Sequence, residues 1–204
     1  MTQALVLLCS PRAGGVSDTA ARLFAEGLTD AGARPRVLAL REHAVKACTG
    51  CGACAQPPHS CVLATGRGSG QGGDDAEALF AAIRETSLLL FASPIYFYHL
   101  PAHFKALVDR TQRFWERQRC GGSPPRGEPR PALAVLTAGR LHGAQLFSGA
   151  LRSLRLFLSP LDAALRETRL LRGVETVGDL TARPAVTAGL YAWGQDWGRA
   201  CRSR

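Results

Sequence analysis

Apolar residues first gather in Ala4-Leu-Val-Leu-Leu-Cys9, a run of strand length whose continuous apolarity suits a strand covered on both faces. Ser10-Pro11-Arg12-Ala13-Gly14-Gly15 breaks it. From about Ser17 the period becomes helical: Ala20, Phe24 and Leu28 share one side, Ser17, Asp18 and Thr19 offer capping oxygens, and Gly32 is placed to end the helix. Strands are predicted over Arg36–Leu40 and Ser87–Ala92, with a helix from about Asp75 to Arg84 before the second of these. A helix from Pro101 carries an apolar stripe of Phe104, Leu107, Val108, Thr111 and Trp115. Ala132–Thr137 reads as a fourth buried strand, Gln145–Leu158 as a helix and Ala163–Leu171 as a fifth strand. In the last helix Val186, Leu190, Trp193 and Trp197 form a stripe that docks on the sheet.

Alternating strands and helices imply an α/β fold: a five-stranded parallel sheet with right-handed crossovers and helices on both faces. Five strands fit the order 2-1-3-4-5, in which a crevice opens where the winding reverses, beyond the carboxyl ends of strands one and three. Residues 1–204 are expected to form one domain, with a Cys/Gly-rich insert at about 44–74 and a Gly/Pro-rich loop at about 120–130. The apolar start is too short for a signal segment and Leu88–Ala92 too short to span a bilayer, so a cytoplasmic protein without a membrane partner is expected.

Charge changes this picture little. The net charge is +9, but the arginines are spread from Arg12 to Arg204 and the aromatics do not interleave with them, which argues against a nucleic-acid partner. A generally basic surface still steers anionic ligands inward.

Three loops lie where a ligand would bind. After strand one, Ser10, Arg12, Ser17, Asp18 and Thr19 bring hydroxyls and a cation to a glycine-flexible turn before a helix N-terminus, where free N–H groups and the helix dipole favour a phosphate. The same residues would also serve a plain strand-to-helix turn. After strand three, Ser93-Pro94-Ile95-Tyr96-Phe97-Tyr98 sets aromatics beside the switch point, where rings can cover a planar ligand; taken alone they could equally be core or a dimer surface. Strand four ends in Thr137-Ala138-Gly139-Arg140, a third side of low specificity. Gly68-Ser-Gly70-Gln-Gly-Gly73 formally matches a dinucleotide fingerprint, but no convincing strand precedes it and Asp74 and Asp75 occupy the helix start, so it reads as a flexible insert.

The loop Ser10-Pro11-Arg12 through Thr19, the Ser93-Pro-Ile-Tyr96 loop and the following Lys105-Ala-Leu-Val-Asp109-Arg110 resemble the NADPH-dependent FMN reductases of the flavodoxin-like superfamily. Cys9 and Val16 depart from the small residue and the Asn usual there. The resemblance implies FMN, with its phosphate at Ser10–Thr19, its ring at Ser93–Tyr98 and Thr137 and Gly139 at its border. It also implies NAD(P)H as electron donor, an enzyme of the FMN or quinone reductase type, and a homodimer or homotetramer. A non-enzymatic electron carrier serving a redox protein partner, or a cysteine-based sensor on the same fold, are the alternatives.

Four of the seven cysteines, Cys48, Cys51, Cys54 and Cys61, form a C-x2-C-x2-C-x6-C run. Closely spaced thiolates with intervening glycine suit a [4Fe-4S] cluster, and the run resembles that of the iron–sulfur flavoproteins. A structural zinc, a redox-active thiol pair or idle cysteines fit the spacing too. With a cluster, the protein would convert paired electrons to single ones.

Overall fold

The computed structural model describes residues 3–65, 72–121 and 127–202. Along the chain run β1 (Gln3–Leu8), α1 (Val16–Asp30), β2 (Arg34–Ala39), α2 (Val62–Thr65), α3 (Ala76–Glu85), β3 (Leu88–Pro94) and α4 (Ala102–Arg110). There follow α5 (Gln112–Arg119), β4 (Arg130–Ala138), α6 (Ser148–Leu158), β5 (Ala163–Arg172), α7 (Val177–Thr181) and α8 (Pro184–Arg202). The strands form one parallel sheet in the order β2-β1-β3-β4-β5, the order the alternation predicts. No described helix is long and apolar enough to cross a membrane.

Because side chains alternate along a strand, each buried run serves two cores. Leu5, Leu7, Phe91, Ala134 and Leu136 face α3, α4 and α6, where Phe91, Phe104 and Phe157 meet with ring centroids 5.7–6.0 Å apart. Val6, Leu8, Leu90, Leu133 and Val135 face α1 and α8 and pack on Phe24, Leu28, Leu190 and Trp193. Full burial of each such side chain contributes about 1.5–3 kcal/mol. On this second side α1 and α8 touch backbone to backbone: a Cβ on Gly27 would lie 2.1 Å from the Tyr191 carbonyl oxygen, and one on Gly194 would lie 2.1 Å from that of Phe24.

Three local features depart from the sequence pattern. β2 begins at Arg34 rather than Arg36, because pairing with β1 opens at Gln3 opposite Arg34 and an edge strand needs no continuous apolar run. The stripe from Phe104 to Trp115 does not lie on one helix. The Thr111 hydroxyl donates to the Val108 carbonyl at 2.6 Å, a side-chain bond that competes with the helical ladder, and the chain turns there before restarting as α5. The change of register sends Phe114 into the core, edge-on to Phe80 at 5.1 Å, and leaves Trp115 48% exposed. The third departure is α7, which the apolar period does not reveal. It starts with a reciprocal capping box between Thr176 and Asp179. In the glycine-rich fingerprint, residues 68–71 lie outside the described residues; Gly72 accepts from Lys46 Nζ at 2.8 Å.

Candidate functional site

β1, β3 and β4 all end at one edge of the sheet, and a cleft of about 440 Å³ opens beyond them. Its first wall is the turn between β1 and α1. Gly14 takes a positive φ of 66°, the Ser10 hydroxyl accepts the Arg12 N–H at 3.1 Å, and α1 follows Gly15 without a side-chain cap. Uncapped first-turn N–H groups, Ser10, Arg12 and Ser17 therefore share this wall.

The other hydrophilic residues expected here have different duties. Asp18 is buried, accepts the Gly14 N–H at 3.0 Å and pairs with Arg41 at 3.0 Å. Thr19 donates to the Gly15 carbonyl at 3.1 Å. Both shape the turn and neither stands among the cleft-lining residues. Ser93 is likewise buried behind the wall, its hydroxyl donating to the Pro94 carbonyl at 2.9 Å.

Pro94, Ile95 and Tyr96 form the second wall, tied to the third by the Ile95 N–H on the Thr137 carbonyl at 2.8 Å. Thr137, Gly139 and Arg140 make the third. Beyond Tyr96 the chain reverses in two residues: Tyr96 and His99 exchange backbone hydrogen bonds of 2.9 Å, with Phe97 at φ 50° and Tyr98 at φ 64°. Such a turn favours Asn-Gly, so two aromatics in left-handed conformation carry strain. Tyr98 is clasped to the third wall, since Arg140 donates to its hydroxyl and lies 5.8 Å from its ring centroid. Phe97 is wholly exposed beside the cleft and does not line it.

A fourth wall, Val174 to Val177, escaped the sequence reading. It follows β5 and leads into α7; Thr176-Val-Gly-Asp179 was the available signal, a capping box lacking an obvious apolar run behind it.

All four cysteines of the run line a second cavity, of about 500 Å³, whose far side is Asp109, Gln112 and Glu116 on α4 and α5. The loop that carries them has no strand. Gly50 and Gly52, at φ 68° and 73°, turn it tightly on either side of Cys51. Its entry is stapled to the start of α3: Ala44 N–H donates to Asp75 at 2.8 Å and Lys46 N–H to Asp74 at 2.9 Å. Arg110, at the end of α4, pairs with Asp74 and donates to the Lys46 carbonyl at 3.1 Å. These two side chains are 1% and 0% exposed. Burial pushes the Asp74 carboxyl up, yet the Arg110 guanidinium and the Lys46 and Ala76 N–H groups outweigh it and hold the carboxyl below its ordinary range. The Cys54 thiol is raised, first by burial and then by Cys61 and Cys48 beside it, against a lowering by its backbone contact. Among the described residues no group of three or more His, Cys, Asp or Glu side chains stands arranged to hold a metal ion. The cysteines thus share a cavity without being gathered as ligands.

The family of NADPH-dependent FMN reductases matches residues 2–164, from β1 through the start of β5. The chain belongs to this family. It is an oxidoreductase of the FMN-reductase type, and α7 and α8 lie beyond the matched segment. Solved structures with the same fold include an azoreductase from Bacillus anthracis str. Sterne, at TM-score 0.64 and 15% identity, covering 98% of this chain and 100% of that one. The NAD(P)H:quinone oxidoreductase from Methanothermobacter marburgensis aligns at TM-score 0.65 and 18% identity over 96% and 98% of the two chains. A flavone reductase aligns at TM-score 0.67 and 13% identity over 98% of this chain, which spans 63% of that protein. A search of curated proteins found no match.

Proposed function

We propose that the protein uses FMN to oxidise NADH or NADPH and to reduce a quinone- or flavin-type acceptor. One observation carries the reading: the uncapped N-terminus of the fifteen-residue helix α1 opens, with Ser10, Arg12 and Ser17, into the cleft beyond β1, β3 and β4. An anion placed there takes N–H and hydroxyl donors that the protein otherwise leaves to water. The residues therefore fit a flavin phosphate. Pro94 to Tyr96 and Thr137 to Arg140 then hold the ring between them, and the clasp of Arg140 on Tyr98 limits the access of water to that end. Bound FMN supplies the capacity to accept two electrons from a nicotinamide and to release them together or singly. In the overall reaction NAD(P)H loses two electrons and one proton's equivalent of hydrogen, and a quinone gains two electrons and two protons, the second proton coming from solvent. The exposed Phe97 beside the cleft supports assembly into a homodimer or homotetramer.

A second reading is favoured by the four cysteines on one cavity: a [4Fe-4S] cluster held by Cys48, Cys51, Cys54 and Cys61. All four thiols line that one cavity, and thiolates are the ligands such a cluster takes.

Anaerobic purification with FMN, iron and acid-labile sulfide counted per chain tests both. FMN near one per chain with NAD(P)H-dependent quinone reduction is expected; FMN without turnover on either nucleotide would reduce the protein to a carrier, and no FMN binding would favour a cysteine-based sensor. Four iron and four sulfide per chain, lost on Cys→Ser substitution while FMN stays, are expected of the cluster. Zinc or no metal overturns it.

A further inference from the structure

Among the described residues that line the cleft beyond β1, β3 and β4, Glu175 is the one acid. Arg12 and Arg140 are the cations there, and Glu175 is ion-paired to neither. Arg140 donates instead to the Tyr98 hydroxyl. The main chain around Glu175 is fixed from two sides. The Gly173 N–H donates to the Arg140 carbonyl at 3.3 Å and the Val174 N–H to the Ala138 carbonyl at 3.1 Å, which lays the fourth wall along the third. The Glu175 N–H itself donates to the Asp179 carboxylate at 2.9 Å, within the cap of α7. Gly139 leaves the room that the side chain uses: a Cβ there would lie 3.3 Å from the Glu175 Cβ and 3.4 Å from its carboxylate oxygen Oε2. The carboxylate thus lies against the third wall while the residue stays exposed. Glu175 falls beyond residues 2–164, so the family match does not account for it.

We propose that Glu175 holds down the redox potential of a flavin in this cleft by opposing the charge that reduction adds. The inference rests on the proposed function for the FMN and for a ring held against Thr137 to Arg140. Uptake of a hydride adds two electrons and one proton to the flavin, hence one negative charge. A carboxylate fixed beside the wall that holds the ring disfavours that charge, the more so once the ring displaces the water that screens it. The oxidised ring carries no such charge and is little opposed. Reduced FMN is therefore held less tightly than oxidised FMN on account of this side chain, and gives up its electrons more readily to an acceptor. The donors at Ser10 to Ser17 do not create this difference, because a phosphate bears the same charge in both oxidation states.

Oxidised FMN and FMN reduced anaerobically with dithionite are titrated separately into the flavin-free full chain, and the potential of the bound flavin is read against a reference dye. Glu175→Gln removes the charge and keeps the shape. It should bind reduced FMN about tenfold more tightly than the parent does while the affinity for oxidised FMN moves less than about twofold, which raises the two-electron potential by about 30 mV. Glu175→Asp keeps the charge and should stay near the parent. An equal change in both affinities, in either direction, overturns the proposal, since the carboxylate then acts on the phosphate or on the fold rather than on the ring. So does Glu175→Asp moving the ratio as far as Glu175→Gln. A ratio that does not move while FMN still binds overturns this inference alone and leaves the proposed function standing. A parent that binds no FMN in either state overturns both.

Discussion

The cleft beyond β1, β3 and β4 and the cysteine cavity are similar in size, about 440 and 500 Å³, yet they are held by different forces. Strand register fixes the first. Ser10, Pro94 and Thr137 each sit where a parallel strand runs out, and the ladder continues past β3 in the bond from Ile95 to Thr137. The cysteine loop has no ladder to lean on. Asp74 and Arg110, both buried, join its entry to α3 and α4, and Arg113 on Glu77 ties the start of α5 to α3 beside them. A cleft built on strand ends tolerates the loss of any one polar group; a loop hung on a buried ion pair depends on both partners.

Breaking the pair should therefore have the largest effect. Asp74→Ala leaves Arg110 charged and unpaired in the interior and is expected to lower stability by about 3–5 kcal/mol, read by urea unfolding. The double variant Asp74→Leu/Arg110→Met should recover most of that loss while still failing to hold the loop, seen as faster reaction of Cys48, Cys51, Cys54 and Cys61 with a thiol reagent. FMN affinity should change little in either.

The converse substitution is Ser17→Ala. A hydroxyl that bonds a charged phosphate is worth about 1.5–3 kcal/mol, so FMN titration should show binding weakened roughly tenfold to a hundredfold. Thiol reactivity in the cysteine loop should not move. If it did, the two sites would share more than the sheet.

A smaller effect, of the opposite sign, is expected at the aromatic turn. Phe97→Asn/Tyr98→Gly places residues that accept positive φ where the backbone demands it, and should raise the melting free energy by about 1 kcal/mol even after loss of the Tyr98 contact with Arg140. The gain would show that Phe97 and Tyr98 serve the cleft at the expense of the fold.

Acid should separate the sites most gently. Asp74 is held below its ordinary value, so its contribution is complete above about pH 4, the range of an unfolded aspartate, and declines as pH falls through the lower folded value. Below about pH 4, pepsin cleavage in the loop should appear before FMN is released, and Asp74→Asn should lack that step.

Much of this architecture was legible in the sequence because buried parallel strands are continuous apolar runs and the loops that line the cleft follow their ends. Thr111 shows the limit. The apolar period runs on through Trp115, and only a side-chain bond to Val108 turns the chain and brings Phe114 inward instead. Asp18 and Thr19 show another: residues of a type suited to bind phosphate are equally suited to brace the turn itself. The fourth wall at Val174 to Val177 and the Arg110–Asp74 staple depend on contacts across tens of residues, which no local period encodes.

The contact of Gly27 with Gly194's helix has a consequence for the end of the chain. Main chain against main chain leaves no compliant side chain between α1 and α8, so the two behave as a single beam. One end of that beam is the uncapped turn at Gly15, and the other extends through the nineteen residues of α8, beyond the segment that matches the family. An anion that steadies the first turn of α1 should therefore slow amide hydrogen exchange in Pro184–Arg202, making the carboxyl-terminal helix a reporter of occupancy of the cleft.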